Sequence, residues 1–345
     1  MKNGITDQSP AVKLLVVAAS FVIIVAGMKA AESIIVPFLL ALFIAIIFSP
    51  PYFWLQEKGL PKIFAMLIVI FAFIFVISII GLLIGTSIHD FTSKLPLYET
   101  KLRSQIQEVI AWLTSAGILK EQINLNEMFN PSAVFQIVAN TLNEVSGLFA
   151  NGFLILLMII FMLLEVSSLP LKLRKMFGDP ETSIKRVNSI SENINKYIAI
   201  KTAISIGTGL FVTIFLLIIG VDYPVLWGVL AFALNFIPTI GSIISLIPPL
   251  LLTIVQLGFG DALIVLIGYL IINTIMGNIL EPRLMGKGLG LSTLVVFISL
   301  IFWGWVLGPI GMLLSVPLTI TIKIILDSSE ETKWFAILLG PEKTD

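Results

Sequence analysis

Residues 222–261 read DYPVLWGVLAFALNFIPTIGSIISLIPPLLLTIVQLGFGD, and no charged side chain occurs between the aspartates at the two ends. One helical crossing of a bilayer needs about 20 apolar residues, so this run is too long for one span. Its middle carries Asn235, Pro238, Thr239, Gly241 and Ser242, followed by Pro248 and Pro249. Proline removes a backbone donor and clashes with the preceding turn, while glycine frees the backbone. The stretch reads as helix, break, helix.

A second such stretch fills residues 288–322, uncharged between Lys287 and Lys323 and interrupted around Gly304, Gly308, Pro309 and Gly311. The two resemble each other weakly: Ile240-Gly241 precedes Pro248 much as Ile310-Gly311 precedes Pro317. In hydrocarbon, loosened backbone is tolerated only where protein or a water-filled cavity satisfies it. Two broken helices at membrane depth therefore point to a solute path, although a proline-kinked packing helix accounts for either one alone.

The rest of the chain has the same character. Of 345 residues, 57% are hydrophobic and 12% charged, far above the apolar fraction of a soluble chain. Charges are costly at bilayer depth, so the intervals between them measure out the spans. Residues 14–28, 33–56, 63–88, 145–164 and 202–221 carry no charge, and 262–280 form one more apolar run. The fold expected is an all-α polytopic membrane protein with about six transmembrane helices, two re-entrant hairpins and a small helical extracytoplasmic segment. Polar residues before Lys13 and the lack of a small-residue cleavage site make the first span a retained helix rather than a signal peptide.

Residues 165–201 hold Lys172, Arg174, Lys175, Lys185, Arg186, Lys196 and Lys201, whereas 89–144 hold fewer bases than acids. The positive-inside tendency puts the first segment in the cytoplasm and the second outside, and counting spans back puts the N-terminus inside. If both broken stretches return to the face they entered, Arg283 and Lys287 also fall in the cytoplasm; single tilted spans would put them outside. The expected map is 1–88 (three spans), 89–145 (extracytoplasmic), 146–165 (one span) and 166–201 (cytoplasmic, amphipathic). A transport core follows over 202–322 with hairpins at 223–260 and 288–322, and then a cytoplasmic tail, 323–345. Within 89–145, Tyr98, Leu102, Ile106, Val109 and Leu113 recur at helical spacing, and Asn130-Pro131-Ser132 marks a break.

Between the hairpins lie Asn273, Asn278, Glu281, Pro282 and Arg283. Amides in an apolar helix must find partners. Glu281 and Arg283 read either as a solvated turn or as a gating or coupling pair.

The runs 201–210, 227–249 and 277–319 resemble the autoinducer-2 exporter family. Pro238 and Gly241 fall on its Pro-x-x-Gly signature, Pro248 and Pro249 on its double proline, and Glu281, Pro282 and Arg283 on its Glu-Pro-Arg. The resemblance implies a multi-pass protein of the bacterial cytoplasmic (inner) membrane, assembled as a homo-oligomer, a pentamer on the family pattern. It implies outward movement of autoinducer-2, a small hydroxyl-rich furanone-derived molecule often found as a borate diester. Some relatives resemble sodium-proton antiporters, which makes a cation-coupled antiporter the first alternative and a non-transporting membrane scaffold the second. The substrate path expected runs along Asn235, Pro238, Thr239, Gly241, Ser242, Asn273, Asn278, Gly308, Pro309 and Gly311, with Glu281 and Arg283 gating.

Other classes are weakened by composition. The chain has no cysteine and one histidine, His89, so neither a thiolate metal site nor a Ser-His-Asp triad is expected, and no cofactor is called for. Equal numbers of basic and acidic residues, 21 of each, suggest no nucleic-acid partner. No Walker loop and no His-Glu-x-x-His occur, which argues against an ATP-driven pump in one chain and against a zinc protease.

Overall fold

The computed structural model describes residues 10–117, 152–166, 180–285, 290–327 and 332–340. Among them the chain is helical, with no strand. In order come α1 (Pro10–Ala30), α2 (Glu32–Glu57), α3 (Lys62–Ser115), α4 (Gly152–Val166), α5 (Pro180–Ile219), α6 (Pro224–Leu234) and α7 (Ile240–Leu257). Then follow α8 (Phe259–Asn273), a π-helical segment (Thr274–Leu280), α9 (Glu281–Met285), α10 (Thr293–Asp327) and α11 (Lys333–Leu338).

Six of the described helices are long and apolar enough to cross a membrane: α2, α3, the apolar part of α5 (Asn195–Ile219), α7, α8 continued through Met285, and α10. The number is the expected one, but the membership differs. The described apolar parts of α1 and α4 are shorter, while α7 and α10 belong to the two broken stretches. Two expected boundaries also leave no mark. The change in composition at His89 lies inside the unbroken 54-residue α3, and the polar residues before Lys201 continue into the apolar half of α5. A helix backbone does not stop where its side chains turn polar; it stops where a cap or a breaker intervenes. The break expected at Asn130-Pro131-Ser132 lies outside the described residues.

Both broken stretches fold back on themselves. In the first, the backbone N–H of Asp222 donates to Gln256 Oε1 at 3.0 Å, so the far end of α7 returns to the start of the stretch, two residues before α6. In the second, Trp303 Nε1 donates to Thr319 Oγ1 at 3.1 Å across a bend at Leu307 and Gly308, where Gly308 takes φ 64°. The turns are tight enough to require glycine at each. A Cβ on Gly241 would overlap the Leu234 carbonyl oxygen, and one on Gly311 would overlap that of Trp303. With 11 residues, α6 is only about 16 Å long at 1.5 Å per residue, well short of a ~30 Å hydrocarbon layer.

The chain forms two compact units, Ala45–Gly290 and the pair Met1–Ile44 with Leu291–Asp345. In the first, α5 and α6 cross backbone to backbone: a Cβ on Gly209 or Gly228 would press on the other's carbonyl oxygen. Trp227 is fully buried beside this crossing, its indole N–H donating to the Asp222 carbonyl at 2.9 Å and its ring edge-on to Phe91 at 5.2 Å. Tyr98 and Leu102 of α3 lie in the same core cluster, with Ile106 packed against it, so the apolar face read from the sequence is the packed face. In the second unit, Val25 clusters with Trp303, Val306 and Leu307 of α10. The second hairpin is thus grouped with α1 and the start of α2, and the first with α3 and α5; the expected core, 202–322, held both.

Candidate functional site

The first hairpin's break opens on a cavity of about 320 Å³, at the small end of the range for ligand pockets. Three backbone features shape it. The first is the turn itself. The N–H of Ile240 donates to the Pro238 carbonyl at 2.6 Å, closing a three-residue turn around Thr239, whose φ of 62° and ψ of −54° belong to the rare, strained form of the γ-turn. A β-branched residue at positive φ is an outlier, and such strain gathers at functional positions because the surroundings must hold it in place.

The second feature is the π-helical segment. In an ordinary α-helix Asn273 and Asn278 would lie roughly 140° apart around the axis. Winding with i→i+5 bonds turns residues five apart toward the same side, and both amides line the cavity. The third is α5, which carries Lys201 and Ser205 one turn apart on its buried face.

The side chains then pair across the cavity. Asn235, buried at the end of α6, donates from Nδ2 to Ser205 Oγ at 2.9 Å. Lys201 Nζ donates to both oxygens of Glu281, at 2.7 and 2.8 Å, and the two side chains are 5% and 18% exposed. Ser242 donates to the Thr239 carbonyl and so steadies the turn.

Of the residues expected on the path, the cavity gathers Asn235, Pro238, Thr239, Ser242, Asn273, Asn278 and Glu281. Gly241 stands behind them, at the close approach that permits the turn. Arg283 is exposed, and the partner of Glu281 is Lys201: two residues along a helix is about 200° around it, so Glu281 and Arg283 point to opposite sides. The expected Glu281–Arg283 pairing is corrected accordingly. Sequence reasoning took Lys201 only as the end of a basic segment. A lone lysine entering an uncharged run was the signal that it had gone inward.

Gly308, Pro309 and Gly311 belong to the second hairpin, in the other unit. In an unbroken helix the Trp305 carbonyl would accept from residue 309, but Pro309 has no N–H. Lys29 Nζ donates to that carbonyl instead, at 2.9 Å, and lies 4.4 Å from the centre of the Trp305 ring. The Glu32 carboxylate sits against Gly308, where the returning arm begins. A cation at the C-terminal end of one arm and an anion at the N-terminal end of the next complement both helix dipoles.

Comparison with known proteins places the chain in a family. A family model described as "AI-2E family transporter" matches residues 18–331. The AI-2 transport protein TqsA of Escherichia coli (strain K12) is 42% identical over 328 residues, covering 95% of each chain. A putative transport protein of Haemophilus influenzae is 39% identical over 330 residues, 93% of this chain and 94% of that one. The putative transport protein YhhT of E. coli (strain K12) is 35% identical over 328 residues, 95% of this chain and 94% of that one.

Proposed function

We propose that this chain, which belongs to the AI-2E family of transporters, exports autoinducer-2 across the bacterial inner membrane through the cavity at the break of its first hairpin. The observation that carries the reading is the cavity's lining. In an otherwise apolar helical unit, three asparagine amides, three hydroxyls and a strained turn converge on one small space. Those groups suit a small molecule rich in hydroxyls, which offers a donor and an acceptor at every oxygen. The name of the E. coli relative, an AI-2 transport protein, supports the substrate.

In this reading both hairpins are re-entrant, with both termini and Arg283 cytoplasmic, and the protein works as a homo-oligomer, a pentamer. The short α6 supports re-entrance, since it ends before it could cross. The Lys201–Glu281 pair ties α5 to the end of the π-helical segment and acts as the latch between the elements that line the path. A cation antiporter is less favoured, because among the described residues the one carboxylate lining the cavity is already held by an ammonium. A scaffold gives no reason for a polar cavity at this depth.

The test is autoinducer-2 flux into sealed liposomes holding the purified protein, with and without imposed sodium and proton gradients. Flux above that of empty liposomes is expected, and no flux under any gradient would remove the substrate assignment.

A further inference from the structure

We infer that the cavity of the first hairpin takes its ligand in an uncharged cis-diol form and rejects the borate ester of the same ligand; this rests on reading the cavity as the transport site. Among the described residues the charges lining it are two, Lys201 and Glu281, and they satisfy each other through both carboxylate oxygens. Every other polar group that lines it is a neutral amide, hydroxyl or peptide unit. These described charges therefore balance each other before any ligand arrives.

The backbone adds no surplus charge. The C-terminal end of α6 and the N-terminal end of α7 meet at the same break, so their opposite half-charges offset. The first amides of α7, which would otherwise make an anion site, are already used: Ile240 donates to the Pro238 carbonyl and Gly241 to that of Ile237.

What the pair does offer is a matched donor and acceptor. An ammonium has three protons, two of which go to Glu281, leaving one for a ligand oxygen. Each carboxylate oxygen keeps lone-pair capacity for a ligand hydroxyl. A vicinal diol can thus bind to both members of the pair without breaking it, while Asn273 and Asn278 face its remaining oxygens. Borate, B(OH)4⁻, condenses with a cis-diol, releasing two waters and leaving a tetrahedral ester with one negative charge. That ester removes the two hydroxyl donors and brings a net charge that no described lining group is free to match. For the borated signal molecule to be exported, its ester must open first, so the protein is selective for the boron-free form.

Calorimetric binding to the purified full-length protein tests this, with autoinducer-2 and ribose as probes, each in boron-free buffer and with excess boric acid. In the wild type, boric acid is expected to weaken binding at least about tenfold. Glu281→Gln leaves Lys201 unmatched, and boric acid should now strengthen binding. The double variant Lys201→Met with Glu281→Gln is neutral again and should regain the boric acid penalty; it also serves if the single variant fails to fold. Equal or tighter wild-type binding with boric acid would overturn the inference, as would the failure of both probes to bind in every form. If ribose obeys the charge rule and autoinducer-2 does not bind at all, the substrate assignment fails and the rule stands.

Discussion

Replacing Glu281 by glutamine leaves shape and volume nearly unchanged and removes one charge. The Lys201 side chain, 5% exposed, then keeps its ammonium in a place built for a carboxylate. Removing one partner of a buried pair costs about 3 to 5 kcal/mol. The amide oxygen still accepts one of the two bonds, and the carboxylate's 18% exposure admits some solvent, so the lower end, about 3 kcal/mol, is expected. At about 1.4 kcal/mol per factor of ten, the folding equilibrium falls roughly a hundredfold. Adding Lys201→Met removes the stranded charge and puts a flexible apolar chain in its place, so the double variant should lie within about 1 kcal/mol of wild type. The two changes would then couple by about 2 kcal/mol or more. Equilibrium unfolding in mixed micelles, followed by the helical circular dichroism signal, measures all the variants. Single variants within about 0.5 kcal/mol of wild type, with additive effects, would refute the claim that the pair is buried and mutually required.

Three further expectations follow from the hairpins. Gly241→Leu and Gly311→Leu should each abolish flux, because the added side chain meets a backbone carbonyl that has nowhere to move; assembly judged by size-exclusion chromatography should be largely retained, and parallel loss of folded protein would reduce both glycines to packing residues. Lys29→Met should cost about 1 to 2 kcal/mol in the same unfolding assay, since the Trp305 carbonyl loses its charged donor at the surface of the chain and Pro309 offers no replacement; an unchanged midpoint would show that another donor serves that carbonyl. A cysteine placed at Lys287 should resist an impermeant thiol reagent applied from outside, in a chain with no cysteine of its own; labelling from outside would invert the hairpin topology.

The two breaks were legible in the sequence because proline and glycine gather at the turns, Pro238 with Gly241 and Gly308 with Pro309, although Pro248 and Pro249, read as part of the first break, lie inside the continuous α7. What stayed hidden depends on long-range pairing. Lys29 and Lys201 served the sequence reading as charge markers, yet one satisfies the carbonyl that Pro309 leaves without a donor and the other meets a carboxylate eighty residues away. The π-helical winding of Thr274–Leu280 has no local residue signature, so the shared side of Asn273 and Asn278 could not be read from spacing that assumes an α-helix. The unbroken α3 was missed for a related reason. A change from apolar to polar side chains at His89 resembles a membrane boundary, and a helix can run straight through one.

Autoinducer-2 flux through the Asn278→Leu variant tests the central claim most directly. Asn278 lines the cavity, its residue is exposed, and its loss disturbs no core packing. With matched amounts of assembled protein in liposomes, the wild type should carry autoinducer-2 well above the empty-liposome rate. The variant should fall at least about tenfold, the worth of one lost hydrogen bond of about 1.4 kcal/mol to the passing ligand, with its unfolding midpoint unchanged. Wild-type flux that Asn278→Leu leaves intact would place the substrate path somewhere other than this cavity.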